Sequence, residues 1–402
     1  MLKKHFFTLP ESFDPGDLLP RYLDRRHDDA RYLVSTIVRK MLTNKLDGRG
    51  CANLSGEYLR NVMNKHDAAD VIKELINHGA IQRFSYLAQV HCYGYRLGDR
   101  FVSDSLVQVE ATDKRLIDRL NDLFSKEDDK KSSRITKVHE KLREMATQIT
   151  IEPEAYKSLS ETPKPRKRTK AEQELWKTKQ RWMIDNIREK KWTFGVGSTG
   201  RVFTNMTNLS KQLRPFVRLN GQTVNGHDFQ CFQPALLGQL LQNTLYDSRR
   251  MYTNCESKST DLYIELVQSG EYNRFMQQQV TSKGIVLRNA KKRNLVDVLA
   301  KKGRYDSKFE NLFRELFPEV YRFIKEFNQK SPSALIRHLQ RMESDFMVNG
   351  VASDLLSGHP EMSFLTLHDA LYVASSDGPK VDSAFRRGCD KVSFPMSWKG
   401  ES

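Results

Sequence analysis

Two acidic residues of this 402-residue chain lie where a rigid backbone could hold them: Asp228 in His227-Asp228-Phe229 and Asp369 in His368-Asp369-Ala370. Val217 and Leu219, followed by Asn220-Gly221, predict a hairpin whose second strand ends at Asp228. That strand would feed a helix from about Pro234, since Pro suits a first helical turn. Phe364-Leu365-Thr366-Leu367 and Ala370-Leu371-Tyr372-Val373 flank the second acid and predict two short strands with His368-Asp369 at the bend. A carboxylate at a strand end suits a metal ion, and an unpaired Asp among buried strands is costly. Each position also fits a plainer part: a helix cap or ion-paired acid at 228, and a structural arginine or tight turn at 369.

Cations recur in the same half of the chain. Arg288, Lys292, Leu295 and Leu299 would share one face of a helix, with two charges above an apolar stripe. Such a face can hold a polyphosphate, and it also describes an ordinary basic surface helix. Thr199-Gly200-Arg201 offers a tight turn and a guanidinium fork for phosphate or a base edge, with Asn208 and Lys211 following. It reads equally as a surface turn and polar loop.

The elements that must carry these residues follow from composition and periodicity. There are 66 Lys and Arg against 50 Asp and Glu, a net charge of +16, which points to a polyanionic partner, nucleic acid before an anionic membrane surface. No apolar run is long enough to span a bilayer, and Pro10, Glu11 and Asp14 interrupt the opening before a signal peptide could form. The five cysteines are scattered without a C-x-x-C, so a reduced, cytoplasmic protein without disulfides or zinc is expected.

Residues 30–105 read as helices around Tyr32–Met41, up to Val62, and from Asp67 to His78-Gly79, then two strands through Ile81, Phe84, Tyr86 and Val90, Tyr93, Tyr95, Leu97. This pattern resembles a winged helix-turn-helix, or a helical packing module. Residues 111–190 are expected to be helical, with Lys126–Ser133 a solvated loop and Pro163–Lys170 a basic segment, either linker or phosphate grip.

Taken in order, Thr199-Gly200-Arg201, Asp228, Arg288-x-x-x-Lys292 and His368-Asp369 resemble the palm and fingers of family A DNA polymerases over about residues 194–378. The resemblance implies that Arg201, Asn208 and Lys211 touch a primer-template. It makes Asp228 with Gln233 motif A, Arg288 and Lys292 the fingers helix that closes on a nucleotide, and His368-Asp369 motif C. Gln340 and Arg341 would face the template. Two Mg²⁺ ions (or Mn²⁺) about 4 Å apart would then be shared by Asp228 and Asp369 for attack of a 3′-hydroxyl on a triphosphate.

The implied architecture is α+β. A winged-helix-like N-terminal region would cover 1–105 and a basic, thumb-like helical region 106–193. An antiparallel palm with fingers at about 240–345 would occupy 194–402. The implied partners are DNA primer-template, or RNA, and nucleoside triphosphates in a bacterial or phage-infected cytoplasm, with no membrane. Phage, plasmid or mobile-element replication or repair is the implied setting, and no proofreading exonuclease motif precedes the palm. Three departures stand out. Ala370 replaces the usual Glu, Gln233 replaces a Glu that excludes the ribose 2′-hydroxyl, and Val296 replaces an aromatic. A primase, a single-subunit RNA polymerase, a terminal transferase and a non-catalytic DNA-binding initiator or regulator therefore remain alternatives.

Overall fold

The computed structural model describes residues 5–43, 46–47, 50–85, 92–102, 104–132, 135–163, 170–249, 258–285, 290–300 and 306–400, with backbone alone at 124–132, 170–172, 245–249, 290 and 292. Many helices accompany small antiparallel sheets. The chain's contacts group into two units. One comprises Met1–Ser133, Pro153–Glu189 and Asn208–Leu213, the other Arg134–Glu152, Lys190–Thr207 and Arg214–Ser402.

In the first unit the helix His27–Leu42 buries Tyr32, Leu33, Ile37, Val38 and Met41, the stripe the sequence predicts. Ser55 caps Gly56–Val62 by accepting from the Tyr58 amide at 3.0 Å. Asp67 precedes Ala68–Asn77 but caps nothing, because its carboxylate accepts from Arg26 Nε at 2.6 Å instead. Gly79, at φ +65°, ends that helix in the left-handed conformation that Gly adopts without strain. Gly94–Leu97 is the middle strand of three, paired with Ala52–Asn53 and Ile81–Phe84. Tyr86 and Val90, expected in this hairpin, lie outside the described residues.

The 111–190 stretch departs from expectation. The charge run from Lys126 is helix rather than loop as far as Ser132, since the helix Lys114–Ser132 runs through it, and Ser133 lies outside the described residues. Its residues include neither Gly nor Pro, so nothing local breaks the helix. Ile149–Ile151 is a strand rather than helix, its two isoleucines buried about an exposed Thr150. The helix Lys170–Arg188 forms, while the basic residues 164–169 lie outside the described ones.

The second unit is built on a six-stranded antiparallel sheet in the order Phe364–Leu367, Ala370–Ala374, Gln222–Phe229, Val217–Leu219, Ile149–Ile151, with Trp398–Gly400 also paired to the end of Gln222–Phe229. Asn220 and Gly221 have φ of +49° and +76°, the two left-handed residues of a tight hairpin turn. Helices between 232 and 358 supply most of the core against this sheet. Of the helix expected to align Arg288, Lys292, Leu295 and Leu299, residues 290–299 are described and Arg288 lies outside them. Ala290–Arg293 is one α-turn, and Asn294–Leu299 winds as a π-helix. Leu295 is 39% exposed while Leu299 is 2% exposed, so only the second of the two leucines is buried.

Candidate functional site

The site is built where the two hairpins of the sheet meet. Asp228 lies opposite Ala370 and His227 opposite Leu371, which sets Asp369 on the turn directly beside the end of the Asp228 strand. The Phe229 amide donates to the Asp369 carbonyl at 3.2 Å and closes that end. His368 opens the two-residue loop between Leu367 and Ala370 at φ +56°, a conformation uncommon for a side chain with a Cβ.

Packing behind the strand holds Asp228 in place. Side chains alternate across a strand, so Phe229 points away from Asp228. Phe229 is 1% exposed, with its ring centroid 4.7 Å from Phe232 and 4.3 Å from Phe385. Phe346 and Trp398 meet it edge-on. Trp398 in turn donates from Nε1 to Asp382 at 2.8 Å, and His227 Nδ1 lies 3.3 Å from the same carboxylate.

The acidic pair is electrostatically strained. Burial, foremost, pushes the Asp369 carboxyl well above the usual carboxylate range, and the charges of Asp228 and Glu343 push it further. The Lys291 charge works in the opposite direction. His368 is pushed down by burial and then by Arg201, with Glu343 opposing.

A second cluster centres on Glu343, which is 1% exposed at the end of the helix Ala334–Ser344. Arg201 grips it with both arms, Nε at 2.7 Å and Nη2 at 2.6 Å. Gln233 Nε2 donates to it at 3.1 Å. Arg201 follows Gly200 (φ +81°) in a turn between the strands Phe194–Val196 and Val202–Thr204, closed by Gly197 N to Arg201 O at 2.9 Å. A Cβ on Gly200 would come within 3.0 Å of Ser344 Cβ, so glycine permits this docking.

The structure thus gathers Arg201, Asp228, Gln233, His368 and Asp369 in the second unit, joined by bonds or charge. Gln340 and Arg341 share the helix of Glu343. Asn208 and Lys211 belong to the first unit, where the Asn208 carbonyl accepts from Gln180 at 3.2 Å. Arg288 and the Lys292 side chain lie outside what is described. The neighbouring Lys291 is the cation whose charge reaches Asp369.

Lys291 and Glu343 carry weight that the sequence reading did not give them. Glu343 had a signal, because it falls on the buried stripe of Leu335 and Leu339, an acid on an apolar face. Lys291 had none. Among the described residues no set of three or more His, Cys, Asp and Glu is arranged to hold a metal. No described helix is long and apolar enough to cross a membrane.

No family model matches the chain, and neither does any curated protein. A solved structure, the POL domain of Pol1 from M. smegmatis in complex with DNA primer-template and dNTP, superposes with a TM-score of 0.44 at 13% identity, covering 71% of this chain and 72% of that one.

Proposed function

We propose that the chain is a template-directed nucleotidyltransferase, a family A-like DNA polymerase that extends a nucleic-acid 3′-hydroxyl in phage, plasmid or mobile-element replication or repair. The observation that carries this reading is the pair Asp228 and Asp369, one at a strand end and the other on the turn beside it, with the carboxyl of Asp369 pushed up by burial and by the charge of Asp228.

A divalent ion fits that pair. Hard carboxylate oxygens are the ligands Mg²⁺ prefers, and a positive ion would relieve the repulsion that raises Asp369. Bound there, Mg²⁺ would stabilise the attacking and leaving oxygens of phosphoryl transfer.

The chain's own residues do the remainder. The sheet and the Phe229 cluster fix the two carboxylates relative to each other. Lys291, with Arg288 and Lys292 nearby in sequence, neutralises the triphosphate. Arg201, Asn208, Lys211, Gln340 and Arg341 touch the primer-template, and Gln233 and His368 line the nucleotide. In the first unit, the order helix, strand, helix, helix, hairpin, with the first strand paired to the last, supports a winged-helix-like module.

The test is a gel-based extension assay with varied template, primer and nucleotide sugar. Mg²⁺-dependent incorporation is expected, lost in Asp228→Asn and Asp369→Asn. Incorporation unchanged in both variants, or none by the unaltered chain on any substrate, overturns the reading. The sugar and template accepted decide between DNA polymerase, RNA polymerase, primase and terminal transferase.

A further inference from the structure

An exposed aromatic ring flanks the acidic turn. Phe203 is the middle residue of the strand Val202–Thr204, whose other two side chains are buried, and it stays 42% exposed. Its ring centroid lies 5.9 Å from that of His368, edge-on at 76°. His368 directly precedes Asp369, so the ring stands at the rim of the turn that bears the second acid.

A single exposed phenylalanine is ordinary on a protein surface. Two features set this one apart. The first is the seat of the ring. Phe203 pairs with Gly195 across the hairpin, and a Cβ added to Gly197 would come within 2.9 Å of Phe203 Cε2. Gly197 is not at positive φ, so its backbone would accept a side chain, and the ring is what excludes one. The second is His368. Its Nδ1 is buried without a hydrogen-bond partner among the described residues, so the contact with Phe203 helps to hold the imidazole.

We propose that Phe203 is a stacking platform for a nucleobase at the reacting end of the bound strand. The inference rests on the reading of the chain as an enzyme that extends nucleic acid, and it adds a contact to that reading. A phenyl ring has no donor, acceptor or charge, so it can neither grip phosphate nor read a base edge. What it offers is a flat apolar face, which every base matches regardless of sequence.

The test measures binding of the full chain to a fluorescein-labelled primer-template lacking a 3′-hydroxyl, by anisotropy, with extension of an ordinary primer and the melting temperature followed in parallel. In Phe203→Ala the affinity is expected to fall about tenfold. Phe203→Tyr keeps the aromatic face and should stay within about threefold of the unaltered chain, whereas Phe203→Leu keeps only apolar surface and should fall like Phe203→Ala. Abasic sites placed in turn around the primer end locate the base. At the stacked position the lesion should weaken the unaltered chain about tenfold and Phe203→Ala no further. Gly197→Ala, which keeps the ring but displaces it, should weaken binding likewise and serves should Phe203→Ala fold poorly. Affinity unchanged in Phe203→Ala, full affinity in Phe203→Leu, or a loss in Phe203→Ala that persists at every abasic position overturns the inference, while extension by the unaltered chain keeps the polymerase reading. Binding that depends on Phe203 without any extension overturns that reading alone. A chain that binds no primer-template overturns both.

Discussion

Asp228 stands opposite Ala370, and the amide of Phe229 is bound to the carbonyl of Asp369 at 3.2 Å. Two acids far apart in sequence are therefore set side by side by a backbone ladder. A ladder tolerates repulsion that flexible side chains would relax. The native state carries that repulsion because the core behind it, centred on Phe229, is fully packed.

Asp369→Asn should separate stability from activity. It removes a carboxyl that burial and the charges of Asp228 and Glu343 disfavour. The melting temperature without divalent ions is expected to rise by a few degrees, roughly 1 kcal/mol, while nucleotide incorporation falls on the order of 10³-fold. Calorimetry beside single-turnover extension checks both signs. A fall in both would identify Asp369 as a structural acid.

The first unit carries a pH-sensitive group of its own. Asp29 is 1% exposed, and burial, against a weak 3.3 Å bond from the Asn64 amide and the charges of Arg119 and Arg26, pushes its carboxyl up to about 6. The folded value lies above the unfolded one, so the native state keeps a proton that the unfolded chain has lost. Stability is then full below the unfolded value and is lost as pH rises from roughly 4 to 6, on the order of 3 kcal/mol. Asp29→Asn should flatten that slope and match the unaltered chain near pH 4. Urea unfolding at stepped pH, followed by a probe in the first unit, measures it. A parallel slope in the variant would assign the effect elsewhere.

Lys291 is solvent-exposed, and its charge reaches Asp369. Lys291→Ala should raise KM for the triphosphate about tenfold with a smaller change in kcat, and the effect should shrink as salt rises. A change confined to kcat would place Lys291 in the reacting geometry instead of the binding step.

What could be read from the sequence was local. Asn220-Gly221 declared its turn, because few other pairs accept two left-handed residues. His368-Asp369 declared a bend, because apolar runs on both sides left nowhere else for one. Gly79 marked a helix end for a similarly local reason. The partner of Arg201 could not be read, since Glu343 is 142 residues away and any of the chain's 50 acids would have served a charge-based guess. The π-winding at Asn294–Leu299 was hidden because its residues fit an α-helix equally well. Ile149–Ile151 is only three residues long, too short for its alternation to outweigh the helical stretches around it.

Gly200 and Gly284 both sit at positive φ, +81° and +63°, yet they differ in surroundings. A Cβ at 284 meets nothing within 4 Å, whereas one at 200 comes within 3.0 Å of Ser344 Cβ. Gly284→Ala should therefore cost only the backbone strain, about 1 kcal/mol. Gly200→Ala adds a collision with the helix end that bears Glu343, for a total of roughly 2–4 kcal/mol, and should shift the Arg201 fork from its carboxylate. Chemical denaturation of the two variants isolates the collision as their difference. Extension kinetics should show a defect in Gly200→Ala alone, because the turn at 200 ends in Arg201 and the one at 284 bears no group of the acidic site. Equal losses of stability would mean that Ser344 yields to the added methyl, and the turn would then owe its glycine to φ alone.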